Sequence, residues 1–321
     1  MGYTSGAKYT WDLINVIAAG LIGSVGGYWT DADPTYWNTT VKTDNNARRA
    51  LKYTNGAETF WLALEQINTQ TITTRYAKGL RVTFSASWDE VLHTYPTTNQ
   101  TSFLMFESHN TTNSVDMAVT YITYFLWIDA SGFALLGKPE PTANIYQNSF
   151  FICVERNANK EYSDGYTNFA AYSLMNMYND HYTAYPLSAR IKNYMRPFSN
   201  TCPEDTWNSV NHTPGIATGT FCCDGYGISF PRVAEIPVAN TKAYKSVGNG
   251  KTYYMKPIAH NAFNTRTPVF EFNMFFPWTE GVGLIDGDLV TIDGQSTQYL
   301  CKSLDSPDSA IRLAFAIKYV A

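Results

Sequence analysis

The residues that could do chemistry in this chain are scattered. His93, His109, His181, His212 and His260 never fall at metal-ligand spacing, and neither HExxH nor HxH occurs. Histidines standing alone in this way are expected to be ordinary core or surface side chains. Asp286-Gly287-Asp288 with Asp293-Gly294 invites a calcium reading. An EF-hand loop, however, needs an oxygen-bearing side chain two positions after Asp288, where Val290 stands, so turn chemistry is expected instead. Glu58, Glu65, Asp89, Glu90, Glu107 and Glu140 could supply paired carboxylates for glycan hydrolysis, although nothing in the order of residues says which of them meet. Ser229, in Gly227-Ile228-Ser229-Phe230-Pro231, lacks the second glycine of a nucleophile elbow. The glycine-rich Gly23 to Gly27 follows a helical pattern and not a strand, so it is a helix stop and not a phosphate loop. No catalytic residue, metal site or cofactor is expected.

Five cysteines are an odd count, and their spacing does not suit zinc. Cys153 sits in an apolar run and Cys301 in the last hairpin, where buried free thiols are expected. Cys202, Cys222 and Cys223 lie in a loop-rich region. A bridge from Cys202 to Cys222 or Cys223 is the sharper alternative, and it requires oxidising conditions. The aromatic clusters Tyr28-Trp29, Tyr36-Trp37, Phe60-Trp61 and Phe275-Phe276-Pro277-Trp278 are accounted for mostly by core packing or subunit contact. Trp29, Trp37 and Trp278 are the candidates for contact with a partner or for stacking on a host-surface glycan.

These side chains belong to a chain of 321 residues, long enough for a substantial core. Aromatic residues make up 15% and charged residues only 16%, so little polar surface is left to keep a free monomer soluble. Life in an assembly is the expectation. The net charge of -4 argues against a nucleic-acid binder that works by neutralising phosphate. MGYTSGAKYTWD has none of the features of a signal peptide. The apolar run Leu13 to Val25 is interrupted by Asn15, Gly20, Gly23 and Ser24 and falls short of the roughly 20 residues a spanning helix needs. Neither membrane insertion nor secretion is expected, and the protein should be made and kept in a cytosol, or exported by lysis.

The elements that must position these residues are mostly strands. Leu13, Ile14, Ile17, Ala18 and Leu21 predict a helix over 9–22 within an N-terminal unit 1–25, with Thr10 as cap and Gly23 as stop. Residues 26–60 are expected as loops and short strands. Strands are predicted over 60–67, 79–88, 101–106 and 117–128, then a hairpin over 124–138 about Asp129-Ala130-Ser131-Gly132, then strands over 149–157 and 165–176. Residues 185–280 carry nine prolines, which should exclude central strands and leave a loop excursion with short edge strands. The closing unit 281–321 has Leu289 to Ile292, a turn at Asp293-Gly294, Tyr299 to Cys301, and the alternating strand Ile311 to Tyr319. The fold expected is mainly β (α+β): an antiparallel β-sandwich or barrel-like core with one N-terminal helix and long loops, in a single domain 1–321.

Three blocks in this order carry a resemblance. They are Tyr3-Thr4-Ser5-Gly6 with Trp11-Asp12-Leu13-Ile14, then Gly132 to Gly137 with Ile152 to Arg156, then Gly287-Asp288-Leu289-Val290 through Tyr299-Leu300 to Phe315-Ala316-Ile317. Together they resemble virion structural proteins of tailed bacteriophages. The resemblance implies a non-enzymatic role in the virion, in the tail or baseplate; the alternatives are a collar or capsid component, or a tail module that binds, or degrades, a host-surface glycan or receptor. The partners it implies are further copies of the chain and other virion proteins.

Overall fold

The structure, a computed structural model, describes residues 2–35, 47–72, 75–85, 87–94, 100–108, 121–140, 149–157, 168–176, 191–197, 209–211, 226–229, 244–245, 248–249, 252–253, 258–261, 268–278, 283–291, 296–305 and 312–320. In chain order its first elements are β1 (Tyr3–Tyr9), α1 (Thr10–Ile22), β2 (Trp29–Asp31), β3 (Arg48–Asn55), β4 (Glu58–Ile72), β5 (Arg75–Ser85) and β6 (Gln100–Ser108). Then come β7 (Tyr121–Asp129), β8 (Gly132–Glu140), β9 (Phe150–Arg156), β10 (Phe169–Asn176), β11 (Ile191–Pro197) and β12 (Ser209–Asn211). Short strands follow: β13 (Tyr226–Ser229), β14 (Tyr244–Lys245), β15 (Thr252–Tyr253), β16 (Ile258–Asn261), β17 (Pro268–Glu271) and β18 (Phe275–Pro277). The last three are β19 (Leu289–Thr291), β20 (Gln298–Asp305) and β21 (Arg312–Tyr319).

The fold is mainly β with antiparallel sheets and one helix, and no sheet closes into a barrel among the described residues. The central sheet runs β1-β7-β8-β9-β10-β11-β12. A second sheet runs β2-β3-β4-β5-β6, and a third runs β18-β21-β20-β19. A three-stranded sheet β13-β16-β17 and the pair β14-β15 complete the described strands.

Strand β9 shows why the arrangement is layered. Phe150, Phe151, Ile152, Cys153, Val154 and Glu155 are all buried, so the run does not alternate and both faces of the strand are covered. Phe150, Ile152 and Val154 join Phe133, Leu135, Leu126 and Ile128 in one apolar cluster with α1 and the second sheet. There Phe60 stacks on Phe169 at 4.0 Å and Trp29 meets Tyr53 edge to face. The other face carries Phe151, which stacks on Phe315 of β21 at 4.0 Å and lies against Phe275 of β18. The central sheet thus lies between the helix with the second sheet on one side and the third sheet on the other.

Helix α1 forms where its apolar spacing predicts, and Leu13, Ile14, Ile17, Ala18 and Leu21 are buried. Gly20 allows it to lie close on β7, because a Cβ there would sit 2.5 Å from Ile128 Cδ1. Gly23 ends the helix, its N–H donating to the Ala19 carbonyl at 2.9 Å and the Ser24 N–H to the Leu21 carbonyl at 3.1 Å. The expected cap is different. Tyr9 holds the N-cap position in extended conformation without a side-chain bond, and Thr10 lies inside the helix with its hydroxyl buried and unpartnered. The cause is β1, which feeds directly into the helix. Tyr3–Tyr9 is a strand because β7 pairs with it from Tyr3↔Trp127 to Tyr9↔Tyr121, a partner more than a hundred residues away.

The hairpin β7–β8 turns at Ala130-Ser131 as expected. Gly132 has φ +140°, and a Cβ on it would strike the Val154 carbonyl. Much of 185–280 lies outside the described residues. Its described strands are mostly of two to four residues, but β11 has neighbours on both sides, contrary to the expectation that prolines exclude central strands. Pro197 is the last residue of β11, where the ladder ends and a missing N–H costs least. The closing hairpin and strand are present as β19, β20 and β21, with the Asp293-Gly294 turn outside the described residues.

Candidate functional site

Among the described residues, the carboxylates singled out for chemistry do not converge. Glu58 Oε2 is held by Arg156 at 2.7 Å and by Asn168 at 3.2 Å, and Glu65 by Arg81 at 2.8 Å. Asp89 caps a turn through the Val91 and Leu92 N–H groups, and Glu140 lies 3.6 Å from Lys138. The side chain of Glu107 lies outside the described residues. Four of these carboxylates are therefore tied to four different places, and not to each other.

Asp286 accepts from Ser303 N–H and Lys302, while Asp288 accepts from Ile285 N–H, so both serve the turn before β19. No group of three or more His, Cys, Asp or Glu side chains able to hold a metal occurs among the described residues. Among them, too, no helix is long and apolar enough to cross a membrane.

Of the aromatic candidates, Trp29 is 1% exposed, with its indole N–H on the Ala130 carbonyl, and Trp278 is 0% exposed among Phe276, Tyr299 and Cys301. Neither can be a contact side chain. Each is spent as core, because burying an indole body is worth more than leaving it in water. Trp37 lies outside the described residues, as do Cys202, Cys222 and Cys223. Cys153 and Cys301 are buried free thiols. Burial, with Glu155 and Asp129 close by, pushes the Cys153 thiol well above its usual range. Burial, with Asp288 and Asp286 close by, takes Cys301 up to about 12.

His93 is not isolated after all. Its Nδ1 lies 2.6 Å from Asp33 Oδ2, which also accepts from Trp88 Nε1 at 3.1 Å, and Thr35 donates to Asp33 Oδ1 at 2.7 Å. Thr35 Oγ1 is 3.4 Å from the same His93 nitrogen. A nucleophile triad needs acid and hydroxyl on opposite ring nitrogens, so this cluster fastens a turn. The turn carries Val91 and Leu92 at its tip, 85% and 70% exposed.

The most unusual polar site was not among those residues. Glu155, 3% exposed, lies on the face of β9 toward the third sheet. Asn273 N–H lies 2.9 Å from both its oxygens, and Met274 N–H lies 3.1 Å from Oε2. These donors belong to a strap, residues 271–274, that leads into β18. The strap's carbonyls are also engaged. Glu271 O accepts from Asn157 at 3.0 Å, Asn273 O from the Tyr299 hydroxyl at 2.6 Å, and Met274 O from Lys318 N–H at 2.9 Å. Sheet register sets Asp129, Gly132 and Glu155 in one row across three strands. Burial raises the Glu155 carboxyl to about 7, against the opposing effect of the Asn273 and Met274 N–H groups, and the nearby Asp129 charge adds to the rise. The signal in the sequence was a lone acid ending a non-alternating apolar run, Phe150 to Val154.

At the far edge of the central sheet β1 pairs, among the described residues, with β7 alone. Its middle residues Ser5, Gly6 and Ala7 are all exposed, so the strand is open on both faces there. Tyr9 stacks on Tyr121 at 4.1 Å and on Trp11 at 5.8 Å beside this edge, with the two tyrosine hydroxyls in contact.

Comparison with protein-family models, with curated proteins and with solved structures returned no match.

Proposed function

We propose that the protein is a non-enzymatic structural component of a tailed-phage particle, in the tail or baseplate, acting by packing against further copies of itself and other virion proteins. The three ordered blocks of resemblance and the low charge support this role. The observation that carries the packing itself is the open edge of β1. A seven-residue edge strand with no proline, no bulge and an exposed Ser-Gly-Ala centre is a ready template for another strand. Its sequence is also self-complementary: an antiparallel copy centred on Gly6 would set Tyr3 opposite Tyr9 and Ser5 opposite Ala7, with lysine facing threonine. A second copy of the chain is therefore the occupant proposed.

The test is the oligomeric state of the purified chain, and its copy number in purified particles, for the natural sequence and for a Ser5→Lys, Ala7→Lys variant. Both positions are exposed, so the fold should tolerate the change, while lysines facing each other across the edge should repel. Assembly of the natural chain and its loss in the variant is the expected result. A natural chain that is monomeric and absent from particles would overturn the proposal.

A further inference from the structure

The structure points to a second property, independent of that role: we propose that Glu155 and the strap 271–274 form an acid-fastened latch, closed by proton uptake and loosened as pH rises, that governs how tightly the third sheet is held to the central one. The geometry permits both protonation states in the closed form. Met274 N–H bonds only Oε2, and Asn273 N–H lies equally close to Oε1 and Oε2. A proton on Oε1 therefore leaves Oε2 to accept both backbone N–H groups, so protonation keeps the two backbone contacts and weakens only the bond from the Asn273 side chain. Deprotonation leaves a buried anion held by the Asn273 and Met274 N–H groups and the Asn273 side chain.

The charged and titratable groups around Glu155 come from every packed element. On β9 they are Cys153, whose Sγ is 3.8 Å from Oε2, and Arg156, which is taken up by Glu58. The β7–β8 turn brings Asp129, paired to Lys318 of β21 at 3.3 Å. The strap brings Glu271, and β20 brings Tyr299 through its bond to Asn273. The one cation in this set that approaches from the third sheet is thus already committed to Asp129.

The sign follows from linkage. Closed, the Glu155 carboxyl binds its proton up to about pH 7; opened to water it reverts toward the ordinary 4.5. The closed form therefore holds more protons between these values, and the closed state is favoured below them and weakened as pH rises through 7. From pH 5.5 to 8.5 the opening equilibrium of the strap should increase on the order of 30-fold, by the difference between the two proton affinities.

Amide exchange of the full chain tests this, read as protection relative to the intrinsic rate at each pH, in the natural protein and in Glu155→Gln. The glutamine keeps an acceptor for the strap but cannot titrate. Protection of Met274 and of β20 and β21 should fall roughly 30-fold across that range in the natural protein and stay level in the variant, while β3 and β4 do not respond. Equal pH dependence in the two proteins, or none in the natural one, would overturn the latch. If the variant fails to fold, the infrared carbonyl band of protonated carboxyl groups in the natural protein decides. A buried carboxyl lost near pH 7 upholds the latch, and one lost near 4.5 overturns it.

Discussion

The two faces of the central sheet are built differently. Toward α1 and the second sheet the contact is made by Ile122, Leu126, Phe133, Leu135, Phe150, Ile152 and Val154 against Leu13, Ile17, Leu21, Leu62 and Leu64, with Tyr53 and Tyr124 as the titratable members of the cluster and the Arg156–Glu58 pair at its margin. Toward the third sheet the aromatic contact of Phe151, Phe275 and Phe315 is interspersed with Glu155, the Asp129–Lys318 pair, and Lys302 over the Phe125 ring at 5.1 Å. Apolar burial is indifferent to pH and salt in a way that buried charge is not. The first face is therefore held mainly by apolar burial, with one ion pair at its margin. The second also encloses a buried acid, so its strength should depend more on pH.

The largest effect should come from cutting into the first face. Phe133→Ala removes a fully buried ring and should cost about 3–5 kcal/mol, read from the denaturant midpoint at unchanged slope. A loss below about 1 kcal/mol would mean that this face is not the main source of cohesion.

Next in size is the titration of Glu155. Its carboxyl is raised to about 7 when folded, above an ordinary 4.5, so its contribution to stability is complete below 4.5 and lost as pH rises through 7. At the full shift this amounts to about 3 kcal/mol. Equilibrium unfolding of the natural protein and Glu155→Gln across that range should diverge by this amount. Parallel curves would remove the contrast between the faces.

Gly20→Val probes the closeness of helix and sheet on the first face. Its added carbons meet Ile128, and a loss of about 1–3 kcal/mol is expected in spite of the better helix propensity. Pairing it with Ile128→Val should return part of that loss. On the second face, Lys318→Met breaks a partly exposed pair and should cost under about 1 kcal/mol, less still in high salt. Cys153 and Cys301 should give no labelling by a thiol reagent in the folded protein, since both are buried with thiols pushed upward.

Much of the fold was legible along the chain because its signals are local. The apolar spacing of Leu13 to Leu21 needs no partner to be recognised, and Asp129 to Gly132 sits between two apolar runs that can only fold back on each other. Strand β1 was not legible, since Ser5, Gly6 and Ala7 have no alternation and the strand exists only because β7 offers it a partner. The same holds for β11, whose place inside the sheet is set by β10 and β12. The burial of Trp29 and Trp278 was equally hidden: an aromatic pair in a sequence has the same form whether it faces a core or a neighbour.

The sequence by itself determined a mainly antiparallel β chain with an N-terminal helix and few charges, because periodicity and composition are properties of neighbours along the chain. Only the tertiary structure decided that Phe150 to Glu155 is covered on both faces, that Asp129 and Glu155 share one row, and that a strap more than a hundred residues further on donates its N–H groups to a buried acid. Those relations depend on sheet register and layer packing, which bring together residues that have no local signal of one another.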